Sequence, residues 1–416
     1  MENKKMGPLQ LSGLLAGAVL GSGIILLPPL IHSRIGDWSV CAWVAIMALG
    51  AVFAGLFAKL ALKYPGSEGV PIAVRDAFGT KAGQLASNCL ICAVCAGPVA
   101  VQITAADSIV HALRLSPDTA PAISAVIVVF CGLLLLRKIT AVGSIALASS
   151  IAIGTVLLAG SVTSLIKVPV SPLPNSQFLL PDMGRTLLLM FWAIIGWEVI
   201  GNYSMEVRSP KRTIPQATVI GVVTVSVVYI LTGWALHSST SQAGKSAPLS
   251  VAQVVEPLLG SCSALVIMII TCALCICTYL MVVGGVSRLV ATLAHEGKLL
   301  RPLAVKNKNE APLGGLLAFL GIHITDLLLV HFKVISLEQL IAVANVFFLA
   351  NSLIAIMAAM KIFKGAGIRI PCMILCMGFC TLLAFSSAVP LCLLAMVSAA
   401  TIMRNNRNQA EAQQKV

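Results

Sequence analysis

Charge is scarce in this 416-residue chain: Asp, Glu, Lys and Arg make up 10% of it, against 58% hydrophobic residues. So few charged side chains cannot clothe a soluble protein, and a mean hydropathy of +0.97 exceeds what a soluble core buries. Lipid is therefore the solvent. A Walker-type phosphate loop is missing, which excludes ATP as the direct source of energy. No Ser/His/Asp or Cys/His set sits where a soluble cleft would hold it, which argues against an enzyme. The 6 histidines do not cluster, and the 13 cysteines lack zinc-ligand spacing, so neither a metal nor any other cofactor is implied. Cys92, Cys95, Cys272, Cys275 and Cys277 lie inside apolar runs and read as small packing residues.

What the chain has instead is a succession of apolar runs, each long enough to cross a bilayer as a helix. About 20 residues suffice for that, and about twelve runs are found. Their limits are 9–31, 38–60, 83–113, 118–136, 142–166, 184–206, 216–237, 259–290, 312–331, 337–360, 368–386 and 388–404. The first follows a short basic stretch but is too long for a signal peptide and is read as a membrane helix. The predicted fold class is thus an all-α polytopic membrane protein in a single domain over 1–416.

The net charge of +13 does not point to nucleic acid, because the 28 Lys and Arg residues sit in short loops rather than on one face or arm. They are distributed by side. With the N-terminus in the cytoplasm, most fall on the inner side, as Lys59/Lys63/Arg75/Lys81, Arg137/Lys138, Arg208/Lys211/Arg212, Lys298/Arg301/Lys306/Lys308 and Lys361/Lys364/Arg369. Both termini are then cytoplasmic.

Two runs carry glycine in mid-span. The first contains Gly21-Ser22-Gly23, and the sixth contains Gly196 followed by Trp197 and Glu198. These interruptions lie five spans apart, as expected where inverted five-helix repeats each begin with a discontinuous helix. The repeats would cover about 9–166 and about 184–360, with two extra helices at about 368–404. A glycine pair around a serine frees backbone N–H groups at the start of a half-helix, where they suit a carboxylate. Gly17 and Gly21, four residues apart, equally fit a packing face between helices. In the sixth span, carbonyls freed near Gly196 suit an ammonium group. Glu198 is an ionisable residue at depth, retained for a function or for a hydrogen bond to a neighbouring helix; it is the proton-coupling candidate.

Other polar residues are assigned by position. Asp107 is either functional or wetted near the outer end of its span; Asp326 and His323 are assigned to solvation or helix–helix contact. The stretch from Tyr64 through Pro65, Gly66, Ser67, Glu68 and Gly69 to Pro71 is read as a turn, with Arg75 and the loop carboxylates as either an inner gate or solvated charge.

At these residues the chain resembles the amino acid-polyamine-organocation superfamily, over nearly its whole length. The resemblance rests on Gly21–Pro28, on Phe191–Glu198 with the loop Glu206–Pro215, and on Ser287-Arg288 through His295-Glu296-Gly297-Lys298 to Pro302. It implies the LeuT-like arrangement of two inverted five-helix repeats, with helices 1 and 6 discontinuous. It further implies that Ala18, Gly21, Ser22 and Gly23 hold a substrate carboxylate, and that Trp192, Ala193 and Ile195 hold its ammonium. Trp197, Cys277, Thr278, Met281 and Asn345 are expected around the substrate side chain, and Glu198 matches a glutamate linked to proton sensing. The Met190-Phe191-Trp192 and Ala344-Asn345-Val346-Phe347 stretches are most similar to bacterial exporters of methionine and branched-chain amino acids. The second loop departs from the common pattern at Glu68, Pro71 and Ala73.

The expectation is a secondary transporter of neutral amino acids in a bacterial inner membrane, with a proton or counter-substrate as partner. Proton-coupled uptake, or antiport of polyamines or basic amino acids, stays open, as do sodium dependence and oligomeric state. A sensor would call for a sizeable soluble domain, and a membrane enzyme for acid and base on facing helices.

Overall fold

The computed structural model describes residues 6–65, 69–137, 142–168, 173–204, 207–243 and 249–413. Glu68, Lys138 and Glu206, singled out above, lie outside the described residues. Helices make up the structure, and among the described residues the only β-type pairing is an isolated parallel bridge between Met6 and Val207. There the Arg208 N–H donates to the Met6 carbonyl at 3.0 Å, joining the start of the first helix to the loop after the second break.

In chain order the helices are α1 Pro8–Leu20, α2 Gly23–Ile35, α3 Ser39–Lys63, α4 Gly69–Phe78, α5 Thr80–Leu113, α6 Ala120–Leu135, α7 Val142–Lys167 and α8 Leu180–Met190. They continue as α9 Ile200–Tyr203, α10 Pro210–Ala243, α11 Ala252–Leu259, α12 Ser263–His295, α13 Leu313–His331, α14 Leu337–Ile362, α15 Ala366–Ala384 and α16 Ala388–Gln413. Among the described residues, 9 helical stretches are long and apolar enough to cross a membrane. The expected first span falls short of that measure because it is broken into α1 and α2.

Sequence dictates which helices are central. In α5, small residues such as Gly83, Ala86, Ala93, Gly97, Ala100 and Ala105 let neighbours approach from several sides, and 78% of its apolar window is buried. It packs mainly on α12 and α14. By contrast α6 and α15, each 22% buried over that window, present Val126, Leu133, Met373 and Met377 outward, as a lipid-facing rim does.

Two helices arise outside the expected spans. In α4, Pro71 falls in the first turn, where a missing N–H costs nothing, so the helix runs on through Phe78. Its Val74 and Ala77 bury against Ala86 and Ala358. Arg75 is exposed, with no ion pair among the described residues, and Asp76 accepts a hydrogen bond from Tyr64 rather than joining Arg75. The short α11 was not anticipated at all. Helix α14 starts at a capping box: Ser336 Oγ accepts from the Gln339 N–H at 3.2 Å, and Gln339 Oε1 accepts from the Ser336 N–H at 2.8 Å.

Candidate functional site

Between α1 and α2 the chain leaves the helix at Gly21, whose φ of +36° and ψ of −133° disfavour any residue with a Cβ. The Gly21 N–H still donates to the Gly17 carbonyl at 3.0 Å and the Leu26 N–H to the Ser22 carbonyl at 3.0 Å, and between these two bonds the regular helical ladder is interrupted. Tyr229 of α10, fully buried, offers its hydroxyl to the Val19 and Leu20 carbonyls at 3.3 and 3.4 Å. Its ring stacks on Trp43 of α3 with centroids 4.7 Å apart.

The second break is longer. After α8 the chain tightens into a 3-10 turn over Phe191–Ile194, passes through Ile195 and Gly196, and makes a second 3-10 turn over Trp197–Val199 before α9. Gly196 has a φ of +118°, again a conformation that favours glycine. Its N–H donates to the Glu198 carboxylate at 3.0 Å. Glu198 therefore folds back to brace the turn that precedes it.

The two breaks touch. A Cβ built at Gly196 would lie 3.2 Å from the Ala18 carbonyl, and the Trp192 indole N–H donates to Ser22 Oγ at 3.2 Å. Thr278 of α12 closes on the same point, with Oγ1 3.4 Å from a Cβ at Gly21. On its far side the Trp192 ring rests against α5, 3.3 Å from a Cβ at Gly97, close to Ala344 and Phe348 of α14. Ala18, Gly21, Ser22, Gly23, Trp192 and Thr278 are thus gathered, with Ala193 buried and Ile195 half-buried in the same turn. Met281 is half-buried three residues beyond Thr278.

Trp197 and Asn345 are placed differently. The Trp197 ring packs between Gly50 of α3 and Gly221 of α10. Asn345 donates its amide to the Leu188 and Leu189 carbonyls at 2.9 and 3.4 Å, bracing the end of α8. Its Oδ1 has no hydrogen-bond partner among the described residues. Asp107 is exposed and lines a groove with His111, Arg114 and Ser261, and Asp326 is half-buried.

Sequence reading missed Tyr229 and Gln102. The latter is buried in α5, donates to the Cys275 carbonyl at 3.0 Å, and leaves its Oε1 without a partner among the described residues. A lone Gln in a run of Ala and Val was the available signal. Away from the breaks these helices are also tied: Arg34 of α2 pairs with Glu338 of α14. Asp37 accepts from the Asn175 and Ser176 N–H groups at 2.6 and 2.9 Å, holding the segment that leads into α8.

Among the described residues the molecule is a bundle of helices with two broken helices in contact, and the proteins it resembles are membrane permeases and transporters rather than enzymes. Residues 6–410 match the amino acid permease family, and the chain belongs to it, within the amino acid-polyamine-organocation superfamily. It is 26% identical over 378 residues to the L-methionine/branched-chain amino acid exporter YjeH of Escherichia coli, covering 87% of each chain. The cadaverine/lysine antiporter of Escherichia coli is 26% identical over 336 residues, covering 76% of this chain and 72% of that protein. The uncharacterized amino acid permease YecA of Bacillus subtilis is 23% identical over 295 residues, covering 70% and 69%.

Proposed function

We propose that the protein is a secondary active transporter of neutral, apolar amino acids, namely methionine, leucine, isoleucine and valine, working as an exporter or exchanger by alternating access in a bacterial inner membrane. The observation that carries this reading is the contact between the two breaks, with Gly196 against the Ala18 carbonyl and the Trp192 indole N–H on Ser22 Oγ. In this reading the chain crosses the membrane about twelve times. Its first ten spans form two inverted five-helix repeats, and both termini lie in the cytoplasm.

The substrate carboxylate is held by the backbone at Gly21, Ser22 and Gly23, where the positive end of α2 adds a favourable field. Carbonyls of Trp192, Ala193 and Ile195 take the ammonium, and Thr278 lies within reach of the same point. The apolar surroundings of Trp192, formed by Gly97, Ala344 and Phe348, favour a neutral side chain over a cationic one. The resemblance to the methionine and branched-chain exporter supports this choice. Glu198 is the coupling candidate. An ionised carboxylate makes the stronger bond to the Gly196 N–H, so protonation would loosen the brace on the second break. The same brace gives proton-coupled uptake a physical basis and makes it the second reading.

Stabilisation of the purified protein by methionine, by its methyl ester and by 3-(methylthio)propylamine tests the assignment. The free amino acid should stabilise and the two analogues should not. Equal stabilisation by the amine would remove the carboxylate site and favour antiport of amines.

A further inference from the structure

Helix α5 carries Pro98 in its interior. Proline has no backbone N–H, so the carbonyl four residues earlier, that of Val94, lacks the donor that a helix would supply. Another helix provides the substitute. His323 of α13 is fully buried, and its Nε2 lies 2.9 Å from the Val94 carbonyl oxygen. A carbonyl only accepts, so Nε2 carries the proton and Nδ1 is the acceptor. The Tyr279 hydroxyl of α12, 2.7 Å from Nδ1, is then the donor. Phe319, one turn earlier on α13, stacks on the imidazole with centroids 5.8 Å apart. Both ring nitrogens are satisfied, each by a different helix.

We propose that His323 is a positioning residue for the transport site: it completes the proline-interrupted α5 and, through Tyr279, holds α12 in register with it. The neighbours of its two partners explain why this matters. Gly97, beside Pro98, is the surface on which the Trp192 ring rests. Thr278, beside Tyr279, is the hydroxyl that faces Gly21. One imidazole thus sets the two walls against which both broken helices pack. A rigid ring with a donor on one edge and an acceptor on the other meets this need directly. A buried polar group of this kind is tolerated only when every member of its network is paired.

The inference relies on the proposed function only for naming the site. Its test uses the full-length protein with His323→Leu, His323→Gln, Pro98→Ala, and the double variant of Pro98→Ala with His323→Leu. His323→Leu should lower the denaturation temperature. It should also raise the KM for methionine at least about tenfold, with a smaller effect on maximal rate. His323→Gln keeps a donor and an acceptor and should recover most of both. Pro98→Ala gives the Val94 carbonyl a donor of its own, so His323→Leu should cost less in that background. ¹⁵N spectra should show a neutral imidazole protonated at Nε2 that is lost in His323→Leu and whose Nδ1 signal moves in Tyr279→Phe. Additive effects of Pro98→Ala and His323→Leu on denaturation would overturn the proposal whether or not transport is observed. An unchanged KM in His323→Leu would overturn the positioning role even if the protein moves methionine normally.

Discussion

Glycine at 23 is a matter of space rather than backbone angle. A Cβ there would lie 2.5 Å from the Tyr229 hydroxyl and 3.4 Å from the Trp192 ring. Gly23→Ala should therefore raise the KM for methionine by at least about tenfold, equivalent to about 1.4 kcal/mol. Tyr229→Phe removes the colliding oxygen, so the double variant should bind better than Gly23→Ala alone, a coupling visible in a double-mutant cycle. Simple addition of the two losses would show that the hydroxyl is not what excludes the side chain. Glu198→Gln should leave the protein folded, with a flatter pH profile of transport, because its bond to Gly196 no longer changes strength with protonation. An unaltered profile in the folded variant removes Glu198 from coupling.

Gly21 and Gly196 were legible because a break in an apolar run calls for them, whereas the need for glycine at 23 comes from the Tyr229 hydroxyl, which the sequence did not place there. The role of Trp197 was not legible. Gly196 lies between Trp192 and Trp197, and its left-handed turn resets the helical phase, so sequence spacing no longer tells which way the second ring points. Tyr229 escaped for another reason: its carbonyl partner lies 210 residues away in sequence. His323 was read as solvated or in helix–helix contact, and it makes the latter, with a Val94 carbonyl 229 residues away that sequence spacing could not single out.

At the scale of elements, apolar runs located the long helices closely. The run 312–331 became Leu313–His331, and 337–360 became Leu337–Ile362. Ends governed by proline were less legible. Helix α10 begins at Pro210, six residues before the expected start, because proline fits a first helical turn. Likewise α4 was hidden by turn-type residues around its start.

These elements are joined by polar contacts whose worth differs with burial. The Arg34–Glu338 pair is partly exposed, 35% and 45%, so Glu338→Gln should change stability by less than about 1 kcal/mol. Asn345 is fully buried and holds two carbonyls of α8, so Asn345→Ala should cost about 1–3 kcal/mol, read as a lower denaturation temperature. Equal effects from the two substitutions would mean that the α14–α8 brace carries no special weight.

Over the whole molecule, the inner core of α5, α12 and α14 is flanked by two broken helices whose interruptions meet. That juxtaposition is the physical ground for reading the protein as a carrier: two helices are interrupted at one place inside an otherwise apolar bundle, where their backbone polar groups call for another partner. Cations gather near the opposite end from Arg34 and Glu338. Lys63 lies 5.3 Å from the centre of the Phe363 ring, and Lys361 lies 5.1 Å from that of Phe78. That distribution supports the proposed orientation, because positive charge is retained on the cytoplasmic side.

The most direct measurement is counterflow in proteoliposomes loaded with each of the twenty amino acids in turn, using radiolabelled methionine and leucine outside, with and without a pH gradient. The account predicts accelerated exchange for methionine, leucine, isoleucine and valine and little for the others, with a pH-gradient response reporting proton coupling. Silence for these four, with exchange driven instead by lysine or a diamine, would contradict it.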